Sequence, residues 1–370
     1  MTAVRDPADA RDTTEARDLA ARPPLSVPLS VLDLAPVSDG SDARAALRST
    51  VELAQRVEEL GYTRFWVAEH HNMPGIASSA PAVLIGRIAD ATSTLRVGSG
   101  GVMLPNHPPL VVAEQFGMLE NLHPGRIDLG LGRAPGTDPS TAAALRRSAD
   151  ALSAEDFPEQ LGELVAFFTD AFPAGHPYAQ MSAVPRPASM PPIWLLGSSG
   201  YSAQVAGLLG LPFAFAHHFS AQNTIPALDL YRKRFQPSQV LSEPYAMVAA
   251  SVLVADTDER ARELAMPSGL SFLRLRSGRP GPLPTVDEAL AHPYTSLDRH
   301  MLEERFSTSV IGAPATVRRG LEELLAATGA NEIMATTMVH DPADRIRSFE
   351  LLADVAGLSA SPSDAGLVPA

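Results

Sequence analysis

Eight times along the chain a short run of β-favouring residues gives way to a segment whose apolar residues recur at helical spacing, and this alternation limits the fold more than any other feature. The runs are residues 29–35, 65–70, 95–104, 127–132, 193–196, 213–216, 246–254 and 333–339. Behind the first, Leu47, Val51, Ala54 and Val57 form an apolar stripe that stops at Gly61. Ahead of the last, Val317, Leu321, Leu324 and Leu325 form another. Each helix carries the chain back to start the next strand in the same direction, so the strands must be parallel. Two closures remain, an open doubly wound sheet and an eight-stranded barrel. No Gly-x-Gly-x-x-Gly follows the first strand, which favours the barrel. The expected fold class is α/β, a (β/α)8 TIM barrel with insertions at its carboxyl-terminal face.

Segments 173–192 and 267–311 do not fit the alternation and are rich in proline and glycine, as in Gly278, Pro280, Gly281, Pro282 and Pro284. They read as the insertions, placed to shape a substrate pocket. Residues 1–24 alternate acid, base and alanine without the apolar stretch of a signal peptide, and 359–370 are rich in Ser, Pro, Gly and Ala. Both read as disordered tails around a single domain at 25–358. A length of 370 would ordinarily suggest two or three domains, but one enlarged barrel accommodates it. The absence of cysteine excludes thiolate catalysis and cysteine-ligated metal centres. A net charge of −13 argues against broad binding to nucleic acid or anionic membrane. No apolar run approaches the ~20 residues of a membrane span, so a soluble, cytoplasmic protein acting on a small molecule is expected.

Polar and glycine residues gather where the strands end, the catalytic face of a parallel barrel. The second run ends in Glu69, His70 and His71, the third holds Gly100 and Gly101, the fourth ends in Gly132 and Arg133, and the sixth is followed by His217 and His218. The fifth leads into Gly197-Ser198-Ser199-Gly200-Tyr201-Ser202, a small-residue turn opening a helix, where backbone N–H groups and hydroxyls suit a phosphate. The competing reading is a plain serine-capped turn. Arg133 on the neighbouring strand could supply charge for that phosphate or pair with an acid on the rim. Adjacent histidines on a strand point to opposite faces, so His70 and His71 cannot chelate one metal together, and no metal site is expected. The pKa of a strand-end histidine suits proton transfer or anion stabilisation, while a hydrogen-bonded structural role is equally open. Glu69 could orient a neighbour. Gly100-Gly101 admits close approach of something flat, a bulge, or dense packing of the barrel interior.

The segments 66–71 (WVAEHH), 95–105 (LRVGSGGVMLP), 125–133 (GRIDLGLGR) and 195–200 (LLGSSG) resemble, in order, those of the bacterial luciferase-like flavin monooxygenases. The resemblance extends over about residues 28–358. It implies a barrel that binds reduced FMN at its carboxyl end. His70 matches the catalytic histidine near the flavin, Gly100-Gly101 a non-prolyl cis peptide beneath the ring system, and Arg133, Ser198, Ser199 and Ser202 the positions that hold the FMN phosphate. Luminescent members have a reactive cysteine where Gly132 stands and an acid where Ser198 stands. The chain is therefore closer to the non-luminescent single-chain branch, and no light emission is expected.

The expected function is oxygenation of a small organic substrate by reduced FMN and O2, with His70 stabilising or protonating the oxygen species and Glu69 supporting it. With no second nucleotide-binding domain in the pattern, reduced FMN is expected from a separate flavin reductase, and family resemblance favours a homodimer. Three alternatives stay open: a deazaflavin-dependent reductase or dehydrogenase, a flavin-binding protein without catalysis and, last, a metal-dependent hydrolase.

Overall fold

The computed structural model describes residues 23–134, 136–146 and 156–359. The expected tails lie almost wholly outside these residues. Eight parallel strands close into a ring: β1 (Leu29–Asp33), β2 (Arg64–Val67), β3 (Arg96–Ser99), β5 (Ile127–Gly132), β6 (Ile193–Gly197), β7 (Phe213–Ala216), β8 (Ala246–Val254) and β10 (Glu332–Thr336), with β10 pairing back onto β1. Two short strands lie off the ring. β4 (Val102–Met103) continues the third run after a break at Gly100-Gly101 and pairs with β5, whereas β9 (Val310–Gly312) pairs with the far end of β8. The fold is the (β/α)8 barrel expected from the alternation.

Period-2 alternation sorts the strand residues into two cores. Val31, Phe65, Val97, Leu129, Leu195, Phe215 and Val248 face the surrounding helices in one large cluster. Leu32, Trp66, Trp194, Ala214, Met247 and Met334 face the barrel axis in a second. Towards the amino-terminal end of the strands the axis is filled by charge. The buried Arg64 reaches Glu332 at 3.0 Å and Asp128 at 2.8 Å. Asp128 also accepts from Arg96 and from the Trp66 indole at 3.0 Å, and Tyr245 donates to Glu332 at 2.9 Å. Two cations close on two anions, which satisfies groups that would be costly to bury alone. The barrel is therefore plugged below its mouth.

The insertions differ from expectation in two ways. The helix after β8 runs without interruption over Asp258–Arg276, through Pro267. Proline inside a helix costs ~3 kcal/mol, but this helix buries Leu264, Leu270 and Leu273, and that packing overrides the local preference. The remainder of the segment, with helices Val286–Ala291 and Ser296–Ser307, reaches the carboxyl-terminal face, where Leu283 exchanges backbone hydrogen bonds with the β1 loop at Val37 and Asp39. Segment 173–192 lies instead at the opposite face. It follows helix Phe157–Thr169, Ser189 bonds Glu120 at the end of helix Pro109–Leu122, and Pro192 leads directly into β6. Sequence composition marked it as irregular but could not tell a helix-to-strand connection from a pocket wall.

Candidate active site

The loop after β2 is tied to the loop after β5 by three successive contacts. His70 Nδ1 lies 3.2 Å from the Gly136 carbonyl, the Thr137 hydroxyl donates to the His71 carbonyl at 2.8 Å, and the Asn72 amide donates to Asp138 at 3.1 Å. A carbonyl only accepts, so Nδ1 of His70 carries the proton and Nε2 of the neutral ring holds a lone pair. Burial lowers the His70 pKa from its ordinary 6.5, and the Gly136 contact and the charge of Glu69 only partly oppose this. The imidazole is neutral at pH 7.

Glu69 is fully buried. Its carboxylate accepts from Nε2 of His71 and Nε2 of His107, both at 2.9 Å, and from the Met103 backbone N–H at 3.1 Å. Burial alone would raise its pKa, but the hydrogen bonds from His107 and His71 outweigh it and bring the value down to about 2. Glu69 does not bond His70. It acts on that ring through its charge, while its hydrogen bonds fasten the β2, β3 and β4 connections together. His107 escaped the sequence reading: it sits after a 3-10 turn at Leu104–Asn106, and only an isolated His between Asn and Pro marked it.

The Gly100–Gly101 peptide is cis. A Cβ on Gly100 would lie 2.6 Å from Leu32 Cδ1, and one on Gly101 would lie 2.7 Å from the Gly130 carbonyl oxygen. The pair thus forms a floor at the barrel axis on which β1, β5 and β6 crowd closely, and dense packing accounts for both glycines.

Helix Gly200–Leu209 begins with Ser199 at its N-cap and no side-chain cap, so its first N–H groups keep their donors, and Ser198 and Ser199 are exposed beside them. A Cβ on Gly197 would lie 2.8 Å from Ser202 Cβ, so glycine there lets the first turn close onto β6. Arg133, at the end of the adjacent β5, lies over the Tyr201 ring at 4.2 Å and makes no ion pair among the described residues. Stacking uses the guanidinium face and leaves its in-plane donors unspent. Uncapped N–H groups, with hydroxyls and a cation that have no polar partner among the described residues, together suit a phosphate dianion.

On the opposite side of the ring, four strands from β2, His217 and His218 follow β7. His218 Nδ1 binds the Ala249 carbonyl at 2.9 Å, and burial pushes its pKa down to about 4. His217 Nδ1 lies 2.8 Å from the Thr224 hydroxyl. Among the described residues no group of three or more His, Asp or Glu side chains has metal-holding geometry.

A barrel plugged at its amino-terminal end, with polar side chains gathered at its carboxyl-terminal end, has the architecture of the barrel enzymes, whose ligands enter at the strand ends. Residues 27–332 match the family model of the luciferase-like monooxygenases. The chain is 47% identical over 330 residues to a luciferase-like monooxygenase of Escherichia coli K12, covering 89% of this chain and 97% of that one. Its structure is similar to the crystal structure of apo-MsnO8, with a TM-score of 0.81 and 40% identity over 90% of this chain and 99% of the other. The fold also matches the oxygenating constituent of 3,6-diketocamphane monooxygenase from a Pseudomonas putida plasmid, solved in complex with FMN. There the TM-score is 0.69 and the identity 19%, over 90% and 98% of the two chains. The chain belongs to the luciferase-like monooxygenase family.

Proposed function

We propose that the protein binds reduced FMN at the carboxyl end of the barrel and uses O2 to oxygenate a small organic molecule. The carrying observation is the pairing of a ready phosphate cradle with a neutral, oriented His70 at one mouth. Arg133, Ser198, Ser199, Ser202 and the N–H groups opening helix Gly200–Leu209 would hold the phosphate, with Gly197 and Gly200 giving the backbone its close approach. Gly100 and Gly101 would form the floor under the ring system. Bound reduced FMN supplies the electrons that activate O2. Family membership and the FMN bound in a protein of the same fold support this choice of cofactor.

His70 would take a proton at Nε2 from an oxygen or nitrogen facing it, because the neutral tautomer set by Gly136 presents a lone pair and no N–H there. Delivery of a proton can only follow, once the ring is charged. Glu69 fixes the wall behind it and favours the charged ring. Reduced FMN would come from a separate reductase, and the protein would work as a homodimer; both rest on the resemblance.

Anaerobic titration with reduced FMN, followed by rapid mixing with O2, tests the reading. Tight binding and rapid O2 consumption are expected. Arg133→Gln should weaken reduced FMN roughly 10- to 100-fold, the worth of charge-assisted hydrogen bonds of ~1.5–3 kcal/mol. Preference for a deazaflavin, or substrate reduction without O2, would overturn it.

A further inference from the structure

Two half-buried arginines among the described residues make neither an ion pair nor a hydrogen bond to a carbonyl: Arg133 and Arg305. The others are spent, Arg64 on Asp128 and Glu332, Arg345 on Asp33, and Arg126 and Arg232 on backbone carbonyls. Arg133 lies in the phosphate cradle. Arg305 lies on helix Ser296–Ser307 of the insertion, with its guanidinium 4.7 Å from the Phe272 ring centroid. Stacking fixes its plane and leaves the in-plane donors open.

Arg305 borders a cavity of about 30 Å³ at the carboxyl ends of β8 and β10, also lined by Ser251, Ser268, Phe306, Thr336 and Thr337. That volume takes only a small group, so the rest of a bound ligand would extend out of it. The positive charge of Arg305 acts on His218, whose ring bonds the β8 carbonyl of Ala249, two residues before Ser251 in the cavity wall. His218 and His70 are neutral at pH 7, and Glu69 is spent on His71 and His107, leaving Arg305 as the fixed charge on this side. Burial disfavours its charged form, and no carboxylate offsets that cost. Next to His218, the Phe219 ring is 68% exposed and offers an apolar wall.

We propose that Arg305 receives the carboxylate of the substrate, which places the substrates among small organic acids with an apolar body. The planar fork matches a carboxylate with two parallel N–H···O bonds, and a half-buried cation without a counter-ion gains most from one. This inference rests on the oxygenase reading for the fate of the bound molecule, but recognition itself needs no flavin. The two can therefore fail separately.

The test is equilibrium binding of hexanoate and hexanamide to the full-length protein without flavin, by titration calorimetry. The pair differs in charge and not in apolar length. Wild type should bind hexanoate at least ~10-fold more tightly than hexanamide, with the preference shrinking at high salt. Arg305→Gln should abolish the preference, and Arg305→Lys, which keeps charge without the fork, should retain part of it. Arg276→Gln removes an exposed cation near the same Phe272 ring and should leave the preference unchanged. A wild type with no preference, a preference that survives Arg305→Gln, or an equal loss in Arg276→Gln would each overturn the assignment.

Discussion

Replacing Glu69 by Gln should destabilise the protein by an amount that depends on pH in a defined way. The carboxyl titrates near 4.5 when unperturbed and at about 2 in the folded protein, because the bonds from His107 and His71 hold the anion. The separation corresponds to roughly 3 kcal/mol, at ~1.4 kcal/mol per tenfold change in proton affinity. A depressed carboxyl pKa gives stability that is fully present above the unfolded value and lost as pH falls through the folded one. The gap between wild type and Glu69→Gln should therefore be about 3 kcal/mol at pH 7, roughly 2 near pH 3.5 and under about 1 near pH 2.5. Acid-sensitive groups that do not touch Glu69 are common to both proteins and cancel in the difference. Urea unfolding followed by tryptophan fluorescence suits the measurement, since Trp66 and Trp194 are both fully buried at the barrel axis. A gap that stays constant from pH 7 to pH 2.5, or widens toward acid, would refute the assignment of a charged, doubly bonded Glu69.

Asp128→Ala leaves Arg64 with Glu332 alone and removes the carboxylate partner of Arg96. Breaking a buried network this way costs ~3–5 kcal/mol, which for a domain of this size lowers Tm by about 4–7 °C; a calorimetric shift under about 1 °C would mean that the network is relieved by water. His70 sets a second pH dependence. Protonation of Nε2 removes the acceptor, so O2 consumption with reduced FMN should fall on the acid side with an apparent pKa below 6.5, and the limb should vanish in His70→Gln. An acid limb that survives in His70→Gln, or one centred above pH 6.5 in wild type, would exclude His70 as the base.

The barrel was legible because its signal is repeated and local. Each strand needed only an apolar run and each helix only a stripe, so even Pro267, misread as a break, did not disturb the closure. The ends of the strands were legible as well, since Glu69, His70, Arg133 and the serine turn interrupt otherwise apolar runs. Contacts between distant loops were not. His107 meets Glu69 across 38 positions and Gly136 meets His70 across 66, with no periodicity linking either pair. Arg305 lies in a segment without a motif, and its isolation from the carboxylates of the described residues is a property of the folded chain. The charged plug left a faint trace that went unread: Arg64, Arg96 and Glu332 each open an apolar strand, and Asp128 follows directly on the first residue of another.

The two ends of the barrel treat charge in opposite ways, and the contrast carries information about binding. At the amino-terminal end Arg64, Arg96, Asp128 and Glu332 neutralise one another, so no ligand is needed to offset them. At the mouth Arg133 and Arg305 each rest on an aromatic ring, with no anion beside them among the described residues. Scarcity of acids cannot explain this in a chain with 42 acidic and 29 basic residues. A half-buried cation raises the free energy of the ligand-free protein by its lost hydration, and that cost is returned only when an oxyanion arrives. Two such cations on different elements, one beside a helix terminus and one on the insertion, would on the proposed reading divide the recognition: Arg133 for the phosphate of the cofactor, Arg305 for the acid group of the substrate. Binding at either removes one uncompensated charge from the mouth and stabilises the folded chain by mass action.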